Sequence, residues 1–319
     1  MTAHPPAHLT RRALADASRR RPPAWGWTQR LTVVGAILGA LILAYPSAAA
    51  WMSAWAHATD VDGYVNSVAA LPTDTTTALL ESAHAFNDTL PDGPLRDPYA
   101  LDRDGTPITV DDHQGRYADS LRVDGTDTIA RIRIPSLGVD LPVLHGTTDE
   151  TLTRGIGHLY GSSLPVGGPD THTVLTGHTG HISGTFFDDI RDLRAGDRIL
   201  IDVLGRTLTY EVDERATVLP TEIDALRRVD GKDYLTLVTC TPTGVNTHRL
   251  LVRAERVETD VAADRSDTLA DAQATGPGIP WWAILVVGVP TVVFVLVRPR
   301  RVGAAAWRRP QDPPPAPVN

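Results

Sequence analysis

The 319-residue sequence has one cysteine, Cys240, and only two methionines and four phenylalanines. A single thiol excludes a disulfide within the chain, and there is no Cys-x-x-Cys pair to support a zinc site. Positive charge is also scarce through the middle. Residues 58–278 hold 36 of the 38 acidic side chains but only 19 of the 30 basic ones, a net charge near −17. Nucleic acid is therefore excluded as a partner, because binding it needs a basic footprint. No internal repeat is present.

Charge is missing altogether from two runs, 31–50 and 279–297. Each is close to the roughly 20 residues that cross a bilayer. Six arginines lie within residues 1–30, ahead of the first run. Ala48-Ala49-Ala50 also offers a signal-peptidase site, so a cleaved leader is the rival to an anchor; the anchor is preferred. The second run opens on Trp281 and Trp282, suited to a membrane interface, and Arg298, Arg300, Arg301, Arg308 and Arg309 follow it. Flanking arginines predict that both termini are cytoplasmic and that residues 58–278 face outward. The proline-rich tail is predicted to be disordered.

The exported stretch is organised around residues 235–253, LTLVTCTPTGVNTHRLLVR. Leu235 to Thr239 have the composition of a buried strand. Thr241-Pro242-Thr243-Gly244 ends it, and alternation from Arg249 onward suggests an antiparallel return. Cys240 then sits at the end of one strand and Arg249 near the start of its neighbour. Other strand candidates are 128–134, 140–144, 172–176, 198–203, 207–213 and 216–219, and with 234–240 and 249–257 they total eight. Many short strands predict a closed barrel or a sandwich. Residues 59–90 read as helical, and 91–127 as a long loop rich in Asp, Gly and Pro, a length that is functional or disordered in compact proteins.

Cys240, Arg249 and His178, the last in Leu175-Thr176-Gly177-His178-Thr179-Gly180, resemble the active-site set of the sortases, the cysteine transpeptidases of Gram-positive cell surfaces. The resemblance covers roughly residues 85–257. It extends to Ile134-Pro135-Ser136-Leu137-Gly138-Val139-Asp140-Leu141-Pro142-Val143, to His145-Gly146-Thr147 and to Gly157-His158-Leu159-Tyr160-Gly161-Ser162-Ser163-Leu164-Pro165. It implies a mainly β fold, an eight-stranded sortase barrel with N-terminal helices, here flanked by two transmembrane helices. It implies Cys240 as nucleophile, His178 as general acid and base, and Arg249 as a fixed cation for a carbonyl or oxyanion. No cofactor is implied. A zinc site on His172, His178, His181 and Cys240 is the rival use of these residues, and calcium on Asp188-Asp189 or Asp111-Asp112 a weaker one. No metal is expected.

Arg96-Asp97-Pro98-Tyr99 resembles the lid of class C, the pilin-polymerising sortases, in which Asp-Pro and an aromatic cover the active site. The resemblance then implies that Asp97 pairs with Arg249 and that Tyr99 lies over Cys240. Thr243, where a bulkier residue often stands, and Ala254, in place of a common glycine, depart from the family pattern at the pocket wall. The implied substrate is a surface protein or pilin with an LPXTG-like sorting signal, and the acceptor a pilin lysine. The alternatives are a housekeeping sortase that uses a cell-wall precursor as acceptor, and a non-catalytic peptide-binding module. The expected organisation is a cytoplasmic segment 1–30, an anchor 31–57, helices and lid 58–127, a catalytic barrel 128–257, a linker 258–278, a transmembrane helix 279–297 and a cytoplasmic tail 298–319.

Overall fold

The computed structural model describes residues 25–91, 95, 113–180, 186–222, 224–258 and 276–299. Asp97, Pro98, Tyr99, His181, Asp111-Asp112, most of the linker and the tail from 300 onward lie outside the described residues. The chain divides into two compact units, Met1–Tyr45 with Trp281–Asn319, and Pro46–Pro280. In the first, Gln29 Nε2 donates to Val297 O at 3.0 Å and the rings of Trp25 and Phe294 stack at 5.0 Å.

The second unit is built on a closed eight-stranded barrel. Its strands are β1 Thr128–Ile134, β2 Val139–His145, β3 Ile156–His158, β4 Thr171–Thr176, β5 Arg198–Val203, β6 Arg206–Val218, β7 Asp233–Thr241 and β8 His248–Arg256. They close in the order β1-β2-β3-β4-β7-β8-β6-β5. The β2–β3 and β4–β7 pairs are parallel and the other pairs antiparallel.

The expected count of eight holds, but two strands differ from the sequence reading. β3 was not anticipated, because three residues carry too little periodicity to register. The candidates 207–213 and 216–219 are one strand, β6, with a bulge between Val212 and Glu214 in its pairing with β8. A bulge shifts the alternation by one residue, which makes one strand look like two.

The helices also divide differently. Helix α1, Trp27–Ala69, runs straight on from the first apolar run with Pro46 inside it. α2, Thr73–Asp88, follows a break at 70–72, where Pro72 disfavours helical angles at Leu71. A short helix α3, His113–Asp119, lies within the predicted loop, α4 is Asp149–Arg154, and α5 is Trp281–Val297.

The barrel is a packed core. Ile132, Ile134, Val143, Leu175, Leu235, Leu237 and Val252 point inward with Phe186 and Phe187. β1 is buried on both faces, and Tyr64, Val65 and Val68 of α1 lie beside its outer residues Arg131 and Arg133. There Arg131 and Arg133 make forked ion pairs with Asp140 (both contacts 2.6 Å) and Asp202 (2.7 and 2.9 Å). The Tyr64 hydroxyl fixes α1 in place, donating to Ile129 O at 3.0 Å and accepting from Leu204 N at 2.9 Å.

α3 is held by a buried polar network. Tyr117 Oη accepts from Gly146 N and lies 2.9 Å from His158 Nδ1, while His158 Nε2 is 2.9 Å from Ser163 O. Ser163 O can only accept, so the neutral ring carries its proton on Nε2. Burial pushes the His158 ring down to about 4 and His145 beside it also to about 4. Between the ordinary value of 6.5 and 4, the unfolded chain binds protons that these rings refuse. Their contribution is thus complete above pH 6.5 and is lost as pH falls through that window. Denaturant unfolding of the protein is expected to show stability declining from pH 7 toward 4.5. A His158→Gln variant, less stable at pH 7, should decline less steeply; equal slopes would show that His158 does not drive the effect.

Candidate active site

The register of three strands determines what meets at the end of the barrel. β4 runs parallel to β7 with Thr176 opposite Val238, so two residues further on His178 comes level with Cys240. β8 runs antiparallel to β7 with Cys240 opposite Arg249. Side chains directly opposite share a face. His178, Cys240 and Arg249 therefore project from the same side of the sheet at the same end, as the sequence reading expected of the last two.

That side is the outside of the barrel. Leu175, Leu237 and Leu250 belong to the interior core, whereas their neighbours Val174, Val238 and Leu251 form a separate apolar cluster with Leu159 and Leu226. Cys240 is two residues beyond Val238 and Arg249 two before Leu251, so all four share the outer face. Leu95 and Val218 pack on this cluster, and Leu95, Leu226 and His172 also line a cleft of about 470 Å³.

Local contacts hold the three residues in place. Gly177 N donates to Val238 O at 3.1 Å, the Thr239 hydroxyl donates to Gly177 O at 2.7 Å, and His178 O accepts from Phe187 N at 3.0 Å. A Cβ at Gly177 would press on the Phe187 ring at 2.8 Å. Gly180 has a φ of +69°, and a Cβ there would overlap Thr243 Cγ2. The turn after β4 thus lies directly against the β7–β8 loop, and Thr179 and Thr243 hydroxyls are 3.3 Å apart. Thr243, the departure noted in the sequence, forms this contact.

Cys240 is half-buried and carries no disulfide. Arg249 is 7% exposed, and its Nη1 donates to Asn246 O at 3.1 Å and His248 O at 3.3 Å. Those carbonyls aim a charge that cannot be lost at the strand end holding the thiol. A permanent cation and an imidazole beside a thiol favour its ionised, nucleophilic form. His178 Nε2 lies 3.5 Å from Asp149 Oδ1, and its ring meets Phe186 edge-on at 6.5 Å. Neither Asp149 nor Phe186 was singled out from the sequence, although Asp149 follows His145-Gly146-Thr147 by only two residues. His172 has both ring nitrogens engaged, by Arg227 O at 2.8 Å and Thr236 Oγ1 at 2.7 Å, which explains its burial without a metal.

A half-buried thiol, an imidazole and a buried guanidinium thus come together at one end of the eight-stranded barrel. The sortase domain model matches residues 132–257. The structure is similar to sortase C-1 of Actinomyces oris, with 46% identity, 58% of this chain and 99% of that one covered, and a TM-score of 0.54. It is also similar to a pilus-related sortase C of Group B Streptococcus (38% identity, 61% and 96% covered, TM-score 0.55). Sortase A of Bacillus anthracis is 28% identical over 160 residues, which is 46% of this chain and 74% of that protein. The chain belongs to the sortase family of cysteine transpeptidases.

Cys240→Ala is expected to abolish cleavage of a sorting-signal peptide without unfolding the barrel, since the thiol sits at the rim of the packing. His178→Ala and Arg249→Ala should each lower kcat/KM by about 10²–10³-fold, the usual loss for one group acting on a transition state. Steady-state kinetics on folded variants checks this; acyl transfer retained by Cys240→Ala would contradict the nucleophile assignment.

Proposed function

We propose that this protein is a membrane-anchored class C sortase that joins pilin subunits through an LPXTG-like sorting signal. Cys240 Sγ bonds to the carbonyl carbon of the signal's threonine, the C–N bond to the next residue breaks, and His178 gives its proton to the leaving amine. The lysine amine of a second pilin then attacks the thioester. A new C–N bond forms, the C–S bond breaks, and the amine's proton passes back to His178. Arg249 carries the charge that develops on the carbonyl oxygen in both steps.

The observation that carries the class C reading is the position of Leu95. It packs on Val174, Val238, Leu251, Leu159 and Leu226, on the same face as Cys240 and two residues ahead of Asp97. The segment that leads into Asp97-Pro98-Tyr99 thus has one described residue, Leu95, against the outer face that Cys240 shares. Arg228 Nη2, donating to Leu90 O at 2.8 Å, holds the start of that segment. A lid in which Asp97 pairs with Arg249 and Tyr99 covers Cys240 accords with the position of Leu95. The similarity to pilus-related sortase C is consistent with it. Likeness to Sortase A of Bacillus anthracis favours a second reading, in which the acceptor amine is a cell-wall precursor.

Membrane attachment rests on α1. Among the described residues it is the one helix long and apolar enough to span a bilayer. Its 43 residues extend roughly 64 Å at 1.5 Å per residue. α5, with 17 residues, is shorter but apolar throughout. Arginines beyond both runs favour cytoplasmic termini and an outward-facing barrel, with the organisation drawn above from the sequence.

The lid has a direct test. With Asp97 and Tyr99 both replaced by Ala, the full-length protein should react faster with a small thiol reagent at Cys240 and hydrolyse a sorting-signal peptide faster. An exposed ion pair contributes only about 0–1 kcal/mol, so an increase of several-fold is the expected scale. Equal alkylation rates at equal folding would make Asp97-Pro98-Tyr99 a surface turn. A lysine-bearing pilin peptide should be the preferred acceptor over a cell-wall amine; the reverse preference would favour the anchoring reading.

A further inference from the structure

The geometry points to Asp149 as a positioning residue for His178, one that holds the imidazole at the thiol and favours its protonated form. The inference rests on His178 being the acid and base of the transfer reaction.

His178 Nε2 lies 3.5 Å from Asp149 Oδ1. Asp149 is the first residue of α4, and Thr148 fixes that helix start by accepting from Thr151 N at 3.2 Å. The Thr151 hydroxyl in turn donates to His145 O at 3.3 Å, which ties α4 to the end of β2. At its other end, a Cβ on Gly155 would meet Pro142 O at 2.7 Å, so α4 sits close against β2 there too. The carboxylate is thus carried on a short helix seated on the barrel, although its own side chain is 93% exposed while that of His178 is 22% exposed. The His178 ring also meets Phe186, which is buried and meets the His57 ring of α1 edge-on at 5.2 Å. The imidazole thus has a carboxylate and an aromatic ring as neighbours.

The charge consequence follows from the groups around it. Asp149 faces His178 from α4, Cys240 comes level with it from β7, Arg249 stands beyond the thiol on β8, and His57 lies behind Phe186. Asp188 follows on the same loop, but its oxygens accept from Gly180 N at 2.6 Å and Phe186 N at 3.1 Å. Arg249 opposes a proton on His178, whereas a Cys240 thiolate and Asp149 favour one. Asp149 therefore helps offset the nearby guanidinium and sustain the thiolate–imidazolium pair that the acid step needs. Because Asp149 is exposed, its influence must be modest and sensitive to salt.

The test compares the full-length wild type with Asp149→Asn, Asp149→Glu and Glu150→Gln. Glu150 shares the first turn of α4, so its variant loses the same interaction with the helix end but not the contact with His178. Two readouts are followed against pH, kcat/KM for a sorting-signal peptide and the alkylation rate of Cys240. In Asp149→Asn the alkaline limb of kcat/KM should move to lower pH by up to about 0.7 unit, the scale set by an exposed ion pair. The alkylation profile, which reads the same coupled pair, should change with it. Glu150→Gln should follow the wild type, and Asp149→Glu should recover part of the shift. At about 1 M salt, where the Debye length is near 3 Å, the wild type and Asp149→Asn should converge. Superimposed profiles for wild type and Asp149→Asn would overturn the assignment, as would an equal shift in Glu150→Gln. If the wild type fails to turn over the peptide, the transferase reading fails, and the alkylation profiles alone decide the role of Asp149.

Discussion

The pairing of β7 with β4 on one side and β8 on the other is the constraint on which the site depends. One parallel and one antiparallel register bring residues 178, 240 and 249 to the same level, though the first is far from the other two in sequence. A slip of one residue in either pairing would turn a side chain to the opposite face. The registers are held by the apolar residues further down the same strands. Leu175, Leu235, Leu237 and Val252 fit the barrel interior, while Val174, Val238 and Leu251 fit the outer groove. Since both faces are buried, each alternate position is committed, and the chemistry at the strand ends inherits that commitment.

The outer face is set by the same arrangement, and the barrel interior is filled by Phe186, Phe187 and branched aliphatics. The outer cluster supplies an apolar floor that leads along the strands to the thiol, and Leu95 lies on it. The turn at 178–180 and the loop at 242–247 meet at the strand ends, where Gly180 admits Thr243. The outer apolar face and the strand-end position of Cys240 are thus consequences of one pair of strand registers.

Much of this was legible in the sequence, for physical reasons that can be named. The apolar run before Cys240 and the alternation after Arg249 marked β7, β8 and their turn, because a strand and its return carry a strong two-residue period. β3 was missed since Ile156-Gly157-His158 is too short to show a period, and β6 was split by its bulge. The break between α1 and α2 was visible only as Pro72, which a helical reading of 59–90 passed over. Asp149 was not legible at all: its partner His178 is brought near by β2, β3 and β4 pairing, which no local pattern encodes. The lid motif could be read as a motif, but its residues lie outside the described part of the chain.

The central claim is that Cys240, placed by β7 and served by His178 and Arg249, forms a covalent acyl intermediate. Mass spectrometry of the protein after incubation with a sorting-signal peptide and no acceptor amine tests it most directly. The account predicts an added mass equal to the acyl half of the cleaved peptide, mapped to the proteolytic fragment containing Cys240 and released by hydroxylamine. Cleavage of the peptide with no adduct on that fragment, or an adduct retained in Cys240→Ala, would contradict it.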